Sequence, residues 1–221
     1  QADFTERYVS HLIPNLSAGR NAGNPDLQAE SAYTFDIGID AYKSAKVKWS
    51  NTFFIRQSQN LIDYVNTNSD DITNLTNLIA NTNYLYATNI SNSLAFGNEF
   101  FAKITLIDNG KSRLSAQLNY TFIKTNTPDG TVSKYIANHP VHNINGNVTY
   151  AFSAFNLLIG GAFITRNKEN IEAINGFIPS SYAILNSKLT YSLSATPCKI
   201  YIDVRNLTNT QYQEILGAKM P

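Results

Sequence analysis

A single cysteine, Cys198, stands in a chain of 221 residues, so no internal disulfide can form and thiols are too few for a cysteine-based metal site. Charge is scarce as well. Only 15% of residues are charged, and 17 Lys and Arg against 16 Asp and Glu leave a formal charge of +1. That balance offers no basic surface of the kind nucleic-acid binding needs. The three histidines, His11, His139 and His142, are too scattered for a spaced metal cluster and read as structural or solvated. No apolar run approaches the ~20 residues of a membrane-spanning helix. A helical membrane protein is therefore excluded, whereas a membrane β-barrel is not, because its strands alternate apolar and polar residues. The first residues, Gln1 to Tyr8, lack the basic-then-apolar order of a signal peptide, and the chain is expected to be an internal piece of a longer protein.

Catalytic signatures are missing too. There is no Ser-His-Asp, Walker or dinucleotide-binding arrangement, and Gly160-Gly161 inside a strand pattern reads as a bend or close packing. Glu6, Asp63 and Glu99 are acid–base candidates only as any carboxylate is. The sequence gives no reason to expect an enzyme or a cofactor.

Aromatic residues are plentiful at 12%, with 13 Tyr and 12 Phe against one Trp. Tyr and Phe suit the interfacial girdles of a membrane barrel, and the abundant Asn suits a watery lumen and loops. A soluble β protein would share this composition, so the pattern along the chain has to decide. Helical periodicity is nowhere sustained, but alternation with a period of two recurs. Leu114, Ala116, Leu118, Tyr120 and Phe122 fall on one face, with Arg113, Ser115, Gln117, Asn119 and Thr121 on the other. Ile200, Ile202 and Val204 likewise oppose Lys199, Tyr201, Asp203 and Arg205.

The same test predicts about eight strands, near residues 31–42, 45–64, 83–107, 111–124, 141–152, 155–166, 181–193 and 199–206. Most reach or exceed the ~9–11 residues that cross a bilayer at a tilt. Their connections alternate: short at 42–45, 108–110, 153–154 and 194–197, long and polar at 66–82, 126–140 and 167–179. Up-and-down membrane barrels do this, with short turns at one end and long loops at the other. A soluble sandwich has no reason to. Leu75, in the first long connection, reads as a loop residue where a charge would cost little.

Two segments carry a more specific likeness. Asn24-Pro25-Asp26-Leu27-Gln28-Ala29-Glu30-Ser31, followed by Tyr33, Phe35, Ile37, Gly38 and Ile39, is a turn leading into a strand. Near the end stand Val204-Arg205-Asn206-Leu207-Thr208-Asn209 and Tyr212. Leu61-Ile62-Asp63-Tyr64 and Ala95-Phe96-Gly97-Asn98-Glu99 lie between them. In this order and spacing they resemble the TonB-dependent receptor family, with its "NPxLxPE" and "NLFDKxY" segments. Gln28-Ala29 stand where the family has Lys-Pro, and Thr208 where it has Phe. The chain ends at Gly217-Ala218-Lys219-Met220-Pro221, where the family continues into a last strand.

The resemblance implies an all-β fold, an antiparallel up-and-down transmembrane β-barrel, with about eight of its ~22 strands present. Residues 1–221 would form one partial barrel domain, with the plug domain and final strand outside it. It implies the outer membrane of a Gram-negative bacterium as location. Its partners would be membrane lipid, the rest of the receptor with its plug, and TonB through the absent N-terminal part. The cargo would be a metal chelate (siderophore or haem) or cobalamin. A glycan or peptide importer, a passive pore or adhesin, and a soluble binding module are the alternatives. Tyr64, Tyr84 and Tyr86, flanking the long connection after residue 66, are the expected ligand contacts, with an aromatic girdle as the plainer reading. Glu99, Arg113, Lys188, Asp203 and Arg205 are expected to pair with one another in the lumen or to meet the plug.

Overall fold

The computed structural model describes all residues except 1, 45, 128–129, 131, 174–177, 194–195, 216–217 and 221. Parts of four expected connections, and Gly217 and Pro221 of the C-terminal segment, thus lie outside the described residues.

A short helix α1 (Phe4–Tyr8) opens the chain, capped by Asp3 and Glu6 in a reciprocal capping box. A two-residue strand β1 (Asn21–Ala22) follows. The main sheet then runs through β2 (Ser31–Ser44), β3 (Val47–Asn68), β4 (Asn83–Asp108), β5 (Ser112–Asn126), β6 (His142–Phe152), β7 (Phe155–Thr165), β8 (Ser181–Ser192) and β9 (Lys199–Val204). Each of these pairs antiparallel with the next in sequence, and β1 adds to β4 in parallel. The long connections carry α2 (Lys134–Asn138) and α3 (Lys168–Ala173), and a separate hairpin, β10 (Tyr212–Ile215) with β11 (Ala218–Met220), ends the chain. All eight expected strands are present, and their ends lie within a few residues of the alternation limits. The β3 pattern stops at Tyr64, but its ladder continues to Asn68, because Asn66 and Asn68 pair with Leu85 and Asn83 regardless of polarity.

Register fixes the faces, since residues directly opposite across a ladder share one. Ala102, Leu118, Gly146, Gly161 and Leu185 form one continuous row across five strands, and Ile159 with Val148 another. Phe35, Phe53, Leu118, Phe163, Leu189 and Ile202 lie on this apolar face and remain exposed. An apolar face of this extent has no core to cover it and is matched to hydrocarbon. The opposite face carries Lys103, Gln117, Asn147 and Gly160 in one row and Glu99, Thr121 and Asn143 in another. Leu118, Phe122, Ile202 and Val204 therefore sit on the apolar face, with Gln117, Thr121 and Asp203 on the polar one, as alternation predicts.

The turn at Asn109 shows why the short connections stay short. Its side chain accepts from the backbone N–H of Ser112 at 2.8 Å, and Gly110 takes the left-handed φ of +81° that the reversal requires. Among the described residues no helix is long and apolar enough to cross a membrane.

Candidate functional site

The long connections lie at one end of the sheet, and there they build a cap with a core of its own. β3 and β4 outrun their neighbours: β2 begins opposite Gln59, and β5 ends opposite Leu94. Above Asn60, whose φ of +54° marks the departure, the two strands continue as a free hairpin arm beyond the membrane-spanning part of the sheet. The N-terminal segment fastens to this arm. Asn21 and Ala22 pair with Leu85 and Tyr86, and Leu16 bridges to Leu78. Leu16, Ala22, Ile72, Leu75 and Tyr84 bury one another in a small apolar cluster. Leu75 is thus a core residue, 9% exposed, and not the indifferent loop residue its polar surroundings suggest.

The Asn24–Ser31 segment braces the same cap. Asn24 Oδ1 accepts from the N–H of Asp26 at 2.9 Å, which closes the turn the sequence predicts. Asn74 Nδ2 donates to both Asn24 and Asp26, and the Arg7 guanidinium donates to the carbonyls of Pro25 and Leu27. Asp63 ties in the next long connection. Its carboxylate accepts from the N–H groups of Tyr64 at 2.7 Å and Tyr135 at 2.8 Å and interacts with the Ser133 hydroxyl. Burial raises its pKa above the ordinary carboxylate value, and these hydrogen bonds only partly offset the rise.

Between the N-terminal segment, the arm and α2 lies a cleft of about 470 Å³, lined by Val9, Ser10, Gly19, Arg20, Asn21, Leu85 and Lys134. Its size suits a small-molecule ligand. Lys134 Nζ reaches Asn21 Oδ1 at 3.3 Å and stands 5.9 Å from the centre of the Tyr64 ring. Burial, then the carboxylates of Glu6, Asp3 and Asp63, push the Tyr64 phenol above its usual pKa and keep it protonated.

The three expected tyrosines do not act as one group. Tyr84 and Tyr86 lie opposite Thr67 and Val65 on one face of the arm, and Tyr64 lies opposite Ala87 on the other. Tyr84 is fully buried, its hydroxyl donating to the Leu16 carbonyl at 2.6 Å and accepting from the Ile79 N–H at 2.9 Å. It holds the cap core together. Tyr86 donates to Asn74 Oδ1 at 2.9 Å. Tyr64 alone of the three stands beside the cleft. Arg20 and Lys134 were missed by sequence reasoning, because nothing local distinguishes them from other loop cations.

Among the described residues Asp203 and Arg205 form an ion pair at 3.6 Å, while Lys188, opposite Asp203 in the ladder, stands 4.3 Å from the Tyr201 ring centre. Glu99 and Arg113 have no ion-pair partner among the described residues. Mutual neutralisation is therefore incomplete on a polar face that is open to water and needs little of it. His142 Nδ1 meets the Tyr120 hydroxyl at 2.9 Å, a structural role, and no His, Cys, Asp and Glu group among the described residues could hold a metal ion.

Residues 2–207 match the family model described as TonB dependent receptor-like, beta-barrel. The chain belongs to that family. Its members are receptors and transporters of the Gram-negative outer membrane. Among solved structures, the copper transporter OprC superposes with a TM-score of 0.65 at 16% identity, over 96% of this chain and 30% of that one. The siderophore receptor PirA from Acinetobacter baumannii gives 0.56 at 18% identity, over 86% and 29%. The ferric-catecholate import receptor Fiu from Escherichia coli K12 gives 0.56 at 17% identity, over 94% and 28%. The chain thus spans under a third of the length of these proteins, and identities this low speak for the fold alone. No curated protein matches the sequence.

Proposed function

We propose that this chain is the C-terminal part of the barrel of an active outer-membrane transporter that imports a scarce metal chelate or cobalamin with energy coupled through TonB. The observation that carries the reading is the basic, aromatic-flanked cleft in a self-cored cap, set at the long-loop end of a one-sidedly apolar sheet of this family. Tyr64, Arg20 and Lys134 supply the first contacts with the cargo: two cations for an anionic chelate and a ring face for its apolar parts. Tyr86 and Tyr84 act behind them by holding the arm in place. The relatives named for copper, siderophores and ferric catecholates support a metal-bearing cargo.

The test is uptake by cells that carry the full-length receptor. Radioactive iron as a ferric catecholate, haem, a copper salt and labelled cyanocobalamin are supplied one at a time, with and without functional TonB. One cargo should accumulate only when TonB works, and Lys134→Ala with Arg20→Ala should reduce its binding about tenfold or more, the effect of losing charged hydrogen bonds. Cargo-independent leakage of small solutes, unaffected by TonB, would instead mean a passive pore. The 221 residues alone should transport nothing, because an eight-strand sheet leaves two open edges whose unpaired groups cost several kcal/mol each in lipid.

A further inference from the structure

The apolar face of the sheet carries almost no charge. From β3 to β9 below the arm, among the described residues, Lys124 is its one charged side chain and His142 its one histidine. The two are neighbours. His142 lies opposite Phe122, and Lys124 stands two residues further along β5 on the same face, opposite Phe96 of β4. Such a diagonal pair has its Cα atoms about 7–8 Å apart. Lys124 is exposed and has no hydrogen bond or ion pair with any described residue. It borders a cleft of about 130 Å³ together with Asn126, Pro140 and Asn167, and no residue lining that cleft is acidic.

Height gives this pair its meaning. Lys124 lies six residues beyond Leu118 on β5, toward the long-loop end. At ~3.4 Å per residue and a tilt of ~40°, it stands roughly 15 Å above mid-height, at the edge of the ~25 Å apolar band. Lipid headgroups lie at that level. The rings around His142 suit the same boundary. Tyr120 and His142 are stacked with ring centres 6.0 Å apart, the Tyr120 hydroxyl is 2.9 Å from His142 Nδ1, and Phe122 lies 5.2 Å from the imidazole. That bond occupies Nδ1 alone. With Tyr120 donating to it, Nε2 bears the ring proton and has no partner among the described residues.

We propose that Lys124 and His142 bind the phosphate of an anionic membrane lipid, in the leaflet on the long-loop side of the sheet. The phosphate accepts from the Lys124 ammonium and from His142 Nε2, and the acyl chains run down the apolar face past Ile144 and Phe163. A lysine suits this boundary, because its stem can cover apolar surface while its charge stays among the headgroups. A free phosphate would gain little from one exposed lysine in water. A phosphate tethered to chains already held on this face meets the lysine at high effective concentration. The site is independent of the cargo, whose cleft lies on the arm.

The experiment uses the purified full-length receptor in a non-ionic detergent and counts bound lipid by native mass spectrometry. Dioctanoyl phosphatidic acid is titrated beside dioctanoylglycerol, which has the same chains without the phosphate, and in competition with inorganic phosphate. Saturable binding of phosphatidic acid is expected, retained in Lys124→Arg and about tenfold weaker in Lys124→Gln. His142→Phe keeps a ring in the stack, removes Nε2 and should weaken binding several-fold. Lys124 is exposed and unpartnered, so Lys124→Gln should fold with an unchanged melting temperature. Lys168→Gln, which removes an exposed cation of α3 paired with Glu172, should leave the affinity as it was. Equal affinity in the parent and Lys124→Gln, an equal loss in Lys168→Gln, or equally tight dioctanoylglycerol would overturn the proposal. Displacement of the lipid by inorganic phosphate at matching concentration would also overturn it, since the site would then take a free anion.

Discussion

Phe54 and Gly97 face each other across β3 and β4 so closely that the ring occupies the place of a side chain on the glycine. A Cβ on Gly97 would lie 2.5 Å from Phe54 Cζ and would also collide with the Phe122 carbonyl of β5. The aromatic ring restores to the polar face the contact area that glycine gives up, a device that pins register in curved sheets. Gly97→Ala is expected to destabilise the full-length receptor by ~1–3 kcal/mol, as overpacking does. Adding Phe54→Ala should recover only part of the loss, because the clash with the carbonyl remains. Urea titration of the folded fraction on a gel reads both, and full recovery would show that the ring alone sets the spacing.

The two faces can be distinguished by chemistry. In a Cys198→Ser background, which removes the one exposed native thiol, single cysteines at Leu118, Phe122, Ile202 and Val204 should react with a lipid-soluble maleimide. Cysteines at Gln117, Thr121, Asp203 and Arg205 should react with a water-soluble one. Equal reaction of both sets with the lipid-soluble reagent contradicts the register.

Leu118 and Leu75 are both leucines that a charge should damage, for different reasons. Arginine in place of Leu118, at mid-height on the apolar face, is expected to cost ~2–4 kcal/mol of barrel stability. Arginine in place of Leu75 buries an uncompensated charge among Leu16, Ile72 and Tyr84. Its damage should stay in the cap: faster proteolysis of residues 1–30 and of the β3–β4 connection, with the barrel's unfolding midpoint unchanged. A Leu75→Arg cap as resistant as the parent would mean that the cluster does not hold the cap.

The sheet was legible because each of its strands states its own face. Alternation from Leu114 to Phe122 needs no distant partner to be read, and Asp108-Asn109-Gly110 announces its own turn. The cap was not legible, because its contacts join residues far apart in sequence with no period to reveal them. Leu16 and Tyr84 meet through 68 residues of separation, and Asn21 pairs with Leu85 in a parallel ladder only two residues long. Tyr84 and Tyr64 look alike from the sequence, flanking the same connection, yet pleating sends them to opposite faces. Arg166 shows the same limit, since its partners come from α2, β8 and β10.

Asp63 and His139 should drive the α2 connection in opposite directions with pH. Burial raises the Asp63 pKa, so its contribution is full below the ordinary carboxylate value and is lost as pH rises through the raised one. Burial, then Arg166, lowers the His139 pKa, so its contribution is full above the ordinary histidine value near 6.5 and is lost as pH falls through the lowered one. Hydrogen-exchange protection at the Tyr135 amide should therefore gain from acid in His139→Gln, where only Asp63 titrates. In Asp63→Asn protection at the His139 amide should fall with acid. If both variants respond to pH as the parent does, neither group governs this helix.

Parity fixes which connections share a side. Each strand from β2 to β9 reverses direction, so the connections after β3, β5 and β7 emerge at one end and those after β2, β4 and β6 at the other. The first set carries helices α2 and α3 and, with the N-terminal segment, builds the cap and the cleft; the second is made of tight reversals such as Asn109-Gly110. In outer-membrane barrels the long loops face the outside of the cell and the short turns the periplasm. Asp71 and Glu172 are exposed, and since Asp71 directly precedes Ile72 of the buried cap cluster, a tag after it needs flexible flanks to leave the fold intact. A tag after Asn74 would break the Asn74 bonds to Asn24, Asp26 and Tyr86 and is a poor choice. On intact cells carrying the full-length receptor, antibody should reach tags at Asp71 and Glu172 and miss a tag after Asn109 until the outer membrane is opened. The reverse result inverts the barrel and removes the cleft from the cargo's side. One reachable and one hidden tag between Asp71 and Glu172 would be the harder outcome, because the antiparallel order from β3 to β8 could not then produce it.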